Sequence, residues 1–183
     1  KRIIGALFSN MRSSTTQGGS TITQQLIKMR VLSSEQTYKR KLQEAYLAIQ
    51  LEKEYSKDEI LVAYLNTINL AQSNYGVKAA AEDYFGKELS ELSLRECAML
   101  AGCAQAPYTY DPRSNFYTRD RAEVTNKRTD LVLAAMYKNN KITKEQYEQA
   151  LNDTLVILEK SPRTQKYDYP YFVEYAVQDI VDC

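Results

Sequence analysis

The sequence predicts an all-α, mostly helical fold, and three observations predict it. Thr21 with Gln24, Ser56 with Glu59, Ser93 with Glu96 and Thr143 with Gln146 all have capping-box spacing. In such a box a hydroxyl takes the N3 amide while the Glu or Gln reaches back to the cap. Strand-like alternation is scarce. The six glycines and four prolines fall mostly at breaks between apolar-periodic segments. A length of 183 residues suits one domain, or one domain plus a linker. With 44% hydrophobic and 26% charged residues the chain can bury a core and is not a disordered composition.

Taken in order, helices are expected near 2–11, 21–30, 38–54, 57–66, 76–84, 94–105, 119–138 and 144–151, with ends good to about three residues. No fixed-period repeat occurs, which argues against a helical solenoid. In the first helix Ile3, Ile4, Leu7 and Phe8 share a face with basic residues around it, a pattern that suits either a membrane surface or an ordinary core. Ser161-Pro162 and the stretch Tyr167 to Tyr171 read as a linker, followed by a short helical pattern at 172–181. The expected organisation is a domain over 1–158 and a linker over 159–183. The absence of a starting Met makes the chain read as a piece of a longer protein.

Composition then removes whole classes of chemistry. There is no histidine, which excludes Ser-His triads, His-ligated zinc and imidazole acid/base catalysis. Catalysis here has to rest on carboxylates, Lys, Tyr, Ser or Cys. A net charge of +1 gives no footprint for a nucleic acid. Cys97 and Cys103 are spaced for neither a zinc knuckle nor a redox pair, and with Cys183 are expected to be buried thiols. No apolar run reaches the ~18 residues of a membrane span, and the start does not read as a signal peptide.

Two segments carry site chemistry. Gly18-Gly19-Ser20 feeds the capped helix that begins at Thr21, with Ile22, Leu26 and Met29 as its expected buried stripe. Gln24 and Lys28 share another face, with Gln25 beside them. Glycines admit close approach, and a helix start offers unpaired amides to an anion, so Lys28 above them suggests a phosphate site. The bland reading is a glycine turn before a solvated helix. In the 38–54 helix Leu42, Ala45, Tyr46 and Ile49 share one face, while Arg40, Glu44, Leu47, Ala48 and Leu51 share the opposite one. Glu44 therefore sits in an apolar stripe with Arg40 one turn before it, as a shielded carboxylate oriented by an arginine would. The competing reading is a helical ion pair worth only about 0.2–0.5 kcal/mol.

Four stretches taken together carry a resemblance: GGSTITQQLIK (18–28), RKLQEAYLAIQLEKEYSKDEILVAYLN (40–66), YGVKAAAEDYFGK (75–87) and LSLRECAMLAGCAQAP (92–107). In unbroken order over roughly residues 1–155, they resemble the motifs of the peptidoglycan glycosyltransferase domain of class A penicillin-binding proteins and monofunctional transglycosylases. The resemblance implies a lysozyme-like helical fold with a cleft and a membrane-embedded jaw. It implies an enzyme that polymerises lipid II into β-1,4 glycan strands and releases undecaprenyl pyrophosphate, at the extracytoplasmic face of the bacterial membrane. It carries over a catalytic role to Glu44, and donor-binding roles to Ser20, Gln24, Gln25, Lys28 and Arg40. Its implied partners are lipid II, the growing glycan strand, the membrane surface and a transpeptidase domain in the same chain. No cofactor is certain; the family allows a divalent cation, Mg or Mn.

The family's first catalytic glutamate, in an E-D-x-x-F-x-x-H-type motif, has no match in this sequence. The expectation is a module truncated at its N-terminal side, beginning after that motif and inactive by itself. Two further departures stand at Gln36, where an Arg is common, and Met29, where an Asn is usual. Asn66 is expected to end a helix, the Tyr84-Phe85-Gly86-Lys87 stretch to pack, and the Leu92–Pro107 helix to lie in the core. Two rival readings remain. A lysozyme-like muramidase would need a carboxylate pair and no pyrophosphate pocket, and a degenerate helical binding module would need no catalytic group.

Overall fold

Each capping box predicted above forms. Ser56 and Ser93 take the amides of Glu59 and Glu96, Thr143 takes that of Gln146, and each partner side chain returns to the cap backbone. The computed structural model describes residues 20–30 and 38–162. Among these, the helices are α1 (Ile22–Arg30), α2 (Tyr38–Glu54), α3 (Lys57–Leu65), α4 (Val77–Phe85), α5 (Leu94–Cys103), α6 (Ala122–Lys138) and α7 (Lys144–Asn152). A 3₁₀ turn at Leu89–Glu91 and a π-helical turn at Ser114–Thr118 complete them. The one ladder contact among the described residues is an isolated antiparallel bridge, Asn69 to Tyr75.

All seven helices lie within three residues of the predicted bounds. The largest shift is at α6, predicted from 119, because the π-helical turn and a left-handed Asp120 (φ 48°) precede its start. The expected helix at 2–11 with Ile3, Ile4, Leu7 and Phe8, the Gly18-Gly19 turn, Gln36 and the pattern at 172–181 lie outside the described residues.

The chain divides into two compact units, Lys1–Val77 and Lys78–Cys183. In the first, α1 packs on α2 and α3. The face that α1 buries is Thr23, Gln24, Leu26 and Ile27; of the predicted stripe Leu26 is buried, while Ile22 and Met29 are exposed. In α2, Glu44, Ala45 and Ala48 are buried, whereas Leu42, Tyr46 and Ile49 are exposed. A helix apolar on two sides leaves the choice of core face to its neighbours, and α1 packs along the Glu44 side.

Asn66 ends α3 as predicted, at the C-cap with its N–H donated to Val62 O. The chain then turns through three consecutive left-handed residues, Ala71, Gln72 and Ser73 (φ 67°, 49° and 59°). Gly76 (φ +91°) closes the turn by donating to Ile68 O. A Cβ at Gly76 would lie 2.9 Å from the backbone oxygen of Asn66, and backbone cannot swing aside. Gly76→Ala is therefore expected to lower stability by about 1–3 kcal/mol, read as a shift in the denaturation midpoint.

In the second unit α5 lies against α6 and α7. Its core is Ala98, Leu133 and Ala150, flanked by Leu94, Val132, Ile142 and Tyr147. Arg95, buried, ties the three helices: Nη1 donates to Asp130 (2.9 Å) and to the carbonyl of Ala150 (3.1 Å), Nη2 to Asn126 (3.1 Å). Tyr84 and Phe85 are buried with rings edge-to-face at 6.5 Å, so this stretch packs as predicted. Arg113 fastens the segment after α7 to the end of α4. Nη1 donates to Asp83 Oδ2 (2.9 Å), Nη2 to Asp83 O (2.6 Å) and Nε to Leu158 O (3.0 Å), with the guanidinium 5.2 Å from the Tyr84 ring.

The cysteines need one correction. Cys103 is buried, but Cys97 is exposed on the outer side of α5, and Cys183 lies outside the described residues. Burial and then the Asp111 charge push the Cys103 thiol up to about 12. Burial and then Glu96 raise that of Cys97 as well. Both are poor nucleophiles, since the thiolate is the reactive form. At pH 8, alkylation followed by peptide mass analysis is expected to find Cys97 modified slowly and Cys103 unmodified until the chain is unfolded.

Candidate functional site

The start of α1 is built by its own box. Thr21 N–H donates to Gln24 Oε1 (2.9 Å) and Gln24 N–H to Thr21 Oγ1 (3.2 Å). Gln24 is consequently 3% exposed, with its amide oxygen already used. The box takes the amides of Thr21 and Gln24, while those of Ile22 and Thr23 in the first turn have no partner among the described residues. Thr23 Oγ1 donates to Glu52 Oε1 at 2.6 Å, which seats α1 along α2.

Ser20, just before this turn, meets α2 through a lysine. Lys41 Nζ donates to Ser20 Oγ (2.8 Å) and to Glu44 Oε1 (2.6 Å). Glu44 is 1% exposed, and its second oxygen, Oε2, has no hydrogen-bond partner among the described residues. A buried carboxylate with one oxygen committed to a cation and the other unmet is costly to keep, and such costs concentrate at functional sites. The cation on Glu44 was expected to be Arg40; the structure gives Lys41, three residues before it on the same helical side. Lys41 is the site residue that sequence reasoning passed over, although it stands one position from Arg40 in the quoted motif.

The other predicted residues are placed less closely. Gln25 is exposed, and its Oε1 accepts from the Tyr64 hydroxyl (3.2 Å) on α3. Burial raises that phenol above its usual range. Arg40 is half-buried at the start of the α2 face that carries Glu44. Lys28 is exposed and makes no ion pair among the described residues, so no contact joins it to Glu44. Ser20 and Glu44 are thus the two predicted residues that the hydrogen bonds bring together, with Lys41 between them.

The model of the Transglycosylase family matches residues 1–137. The chain belongs to this family. It is 41% identical to penicillin-binding protein 1A of Streptococcus pneumoniae, over 99% of this chain and 25% of that protein. To the proteins of the same name from Clostridium botulinum and Clostridium perfringens it is 46% and 49% identical, over 98% and 84% of this chain and 23% and 19% of those proteins. The chain thus spans about a quarter of the length of the curated relatives it matches. The crystal structure of penicillin-binding protein 1A from Haemophilus influenzae is similar with a TM-score of 0.47 and 27% identity, over 88% of this chain and 19% of that one.

For this transglycosylase family member a divalent cation was an open expectation. Among the described residues no group of three or more His, Cys, Asp or Glu side chains could hold a metal, and Glu44 carries a lysine instead. These residues do not form a metal site of their own. Nor is any described helix long and apolar enough to cross a membrane. A cavity of about 750 Å³ lies in the second unit, where Ser93, Arg95, Gln149 and Asp153 line it; it contains no predicted site residue.

Proposed function

We propose that the chain is the glycan-polymerising module of a class A penicillin-binding protein, acting on lipid II at the outer face of the bacterial membrane. The observation that supports it most is the buried Glu44, paired with Lys41 at 2.6 Å and through it with Ser20, just before the start of α1. The reaction joins the acceptor sugar's 4-hydroxyl to C1 of the donor. The C1–O bond to the pyrophosphate breaks, and undecaprenyl pyrophosphate leaves with that electron pair. A departing pyrophosphate needs fixed positive charge and aimed donors. Lys41, Arg40 and Lys28, with the α1 amides, are the groups of this chain suited to supply them, and Glu44 holds Lys41 in position. Gln24, buried in its cap, acts through the shape of the helix start, and Gln25 stays available at its surface.

The base that takes the acceptor proton is not among the matched motifs of this sequence, so the 183-residue chain by itself is proposed not to polymerise. In the longer protein, residues 159–183 would lead to the transpeptidase domain. Incubating that protein with lipid II should yield a ladder of glycan strands and free undecaprenyl pyrophosphate. Hydrolysis of preformed glycan with no pyrophosphate released would overturn the reading in favour of a muramidase. Against that rival, Glu44 is paired with a cation, whereas a muramidase needs a second carboxylate across the glycosidic bond.

A further inference from the structure

The loop from Tyr108 to Arg121 presents aromatic rings that the fold holds still and leaves open. Tyr108 is 81% exposed, the most open of the large apolar side chains described. Arg119 lies over its ring at 4.4 Å and donates from Nη1 to the Tyr108 carbonyl at 2.7 Å, so one cation fixes both ring and backbone. From below, the buried Asn115 donates from Nδ2 to Thr109 O (2.9 Å) and to Thr125 Oγ1 (3.0 Å). Tyr110, next along, has Arg128 over its ring at 5.5 Å. Tyr117, 49% exposed, is anchored at its far end through its hydroxyl to Ile157 O, which leaves the ring outward. Tyr117 rides on a π-helical turn, a rare backbone form that is frequent at functional sites.

A solvated tyrosine normally gains nothing by being immobilised. Here a guanidinium covers one face of Tyr108 and the other stays available, so a partner stacking on it meets an ordered surface and loses little entropy on binding. Polar groups at the rim, Thr109, Thr118 and Asp120, are exposed and can exchange hydrogen bonds with hydroxyl or amide groups. Asp120 is held there in a left-handed conformation (φ 48°). A flat apolar ring bordered by neutral and mixed-charge hydrogen-bonding groups suits the C–H face of a pyranose and its equatorial hydroxyls. Acid and base alternate along Arg119, Asp120 and Arg121, which suits a free phosphate poorly.

We propose that the Tyr108 loop, in the second unit, is a saccharide-binding platform that takes a β-1,4-linked N-acetylhexosamine strand. The identity of that strand rests on the proposed polymerase function; the platform itself rests on the loop. The test is a titration of the chain with the β-1,4 N-acetylglucosamine tetramer, followed by amide NMR shifts. Shifts are expected at residues 107–120. Tyr108→Ala should raise the dissociation constant about tenfold. Tyr108→Phe, which keeps the ring, should stay within about twofold of the parent. Polymerisation of lipid II by the full-length protein is read separately, so a platform that fails while polymerisation persists, and the reverse, are each visible. Absence of shifts, shifts confined to other residues, or Tyr108→Ala binding like the parent would each overturn the platform. Because Tyr108 is exposed, circular dichroism of that variant should match the parent and remove misfolding as an explanation.

Discussion

Glu44→Gln, made in the full-length protein that carries this module, is expected to reduce kcat by about 10²–10⁴-fold while substrate affinity stays within about tenfold. Gln keeps the size of Glu and can still accept from Lys41, but it cannot neutralise that cation. Lys41 would then be free to leave Ser20, and its charge would no longer be fixed where negative charge grows as the C1–O bond breaks, a loss felt in the transition state. The pyrophosphate is present in the ground state as well as in the transition state, so a residue that only binds it behaves differently. Lys28→Ala should raise KM about tenfold, since charge-assisted hydrogen bonds are worth about 1.5–3 kcal/mol. Polymerisation rates on lipid II with separate kcat and KM would read both. A Glu44→Gln enzyme with kcat within threefold of the parent would remove Glu44 from the mechanism, whatever its burial.

Helix positions were legible because their determinants are local. Ser56 with Glu59 and Ser93 with Glu96 form their boxes from residues three apart, and no distant contact is needed to read them. The faces were less legible. Leu42, Tyr46 and Ile49 look as apolar as Leu47, Ala48 and Leu51, and only the packing of α1 decides which of them is buried. Glu44 was recognisable as a shielded carboxylate on its own helix. Its partner was not, since Arg40 and Lys41 both lie within reach by helical geometry. The contact that selects Lys41 crosses to Ser20, 21 residues away, and periodicity carries no trace of it. The Arg113 clamp is similar, because its acceptors are 30 and 45 positions distant.

That clamp carries the largest stability effect expected in the described residues. The Arg113 and Asp83 side chains are 13% and 4% exposed, so this pair is shielded from water and from salt. Removing one partner of a buried pair typically costs about 3–5 kcal/mol, because a buried charge is left uncompensated. Arg113→Ala also loses the bonds to Asp83 O and Leu158 O and the stacking on Tyr84. A loss of about 3–5 kcal/mol is therefore expected in urea or thermal unfolding. Segment 155–158 would keep the Leu158 N–H to Tyr84 O and the Tyr117 hydroxyl to Ile157 O. Faster amide exchange should appear there before it appears in α5. The double variant Arg113→Met with Asp83→Asn separates charge from packing. Met fills much of the arginine stem volume and Asn retains one acceptor, so most of the loss should return if the penalty comes from the charge of the buried carboxylate. If the double variant is as unstable as Arg113→Ala, the three-way hydrogen bonding of the guanidinium holds the segment, and the charge of Asp83 is incidental.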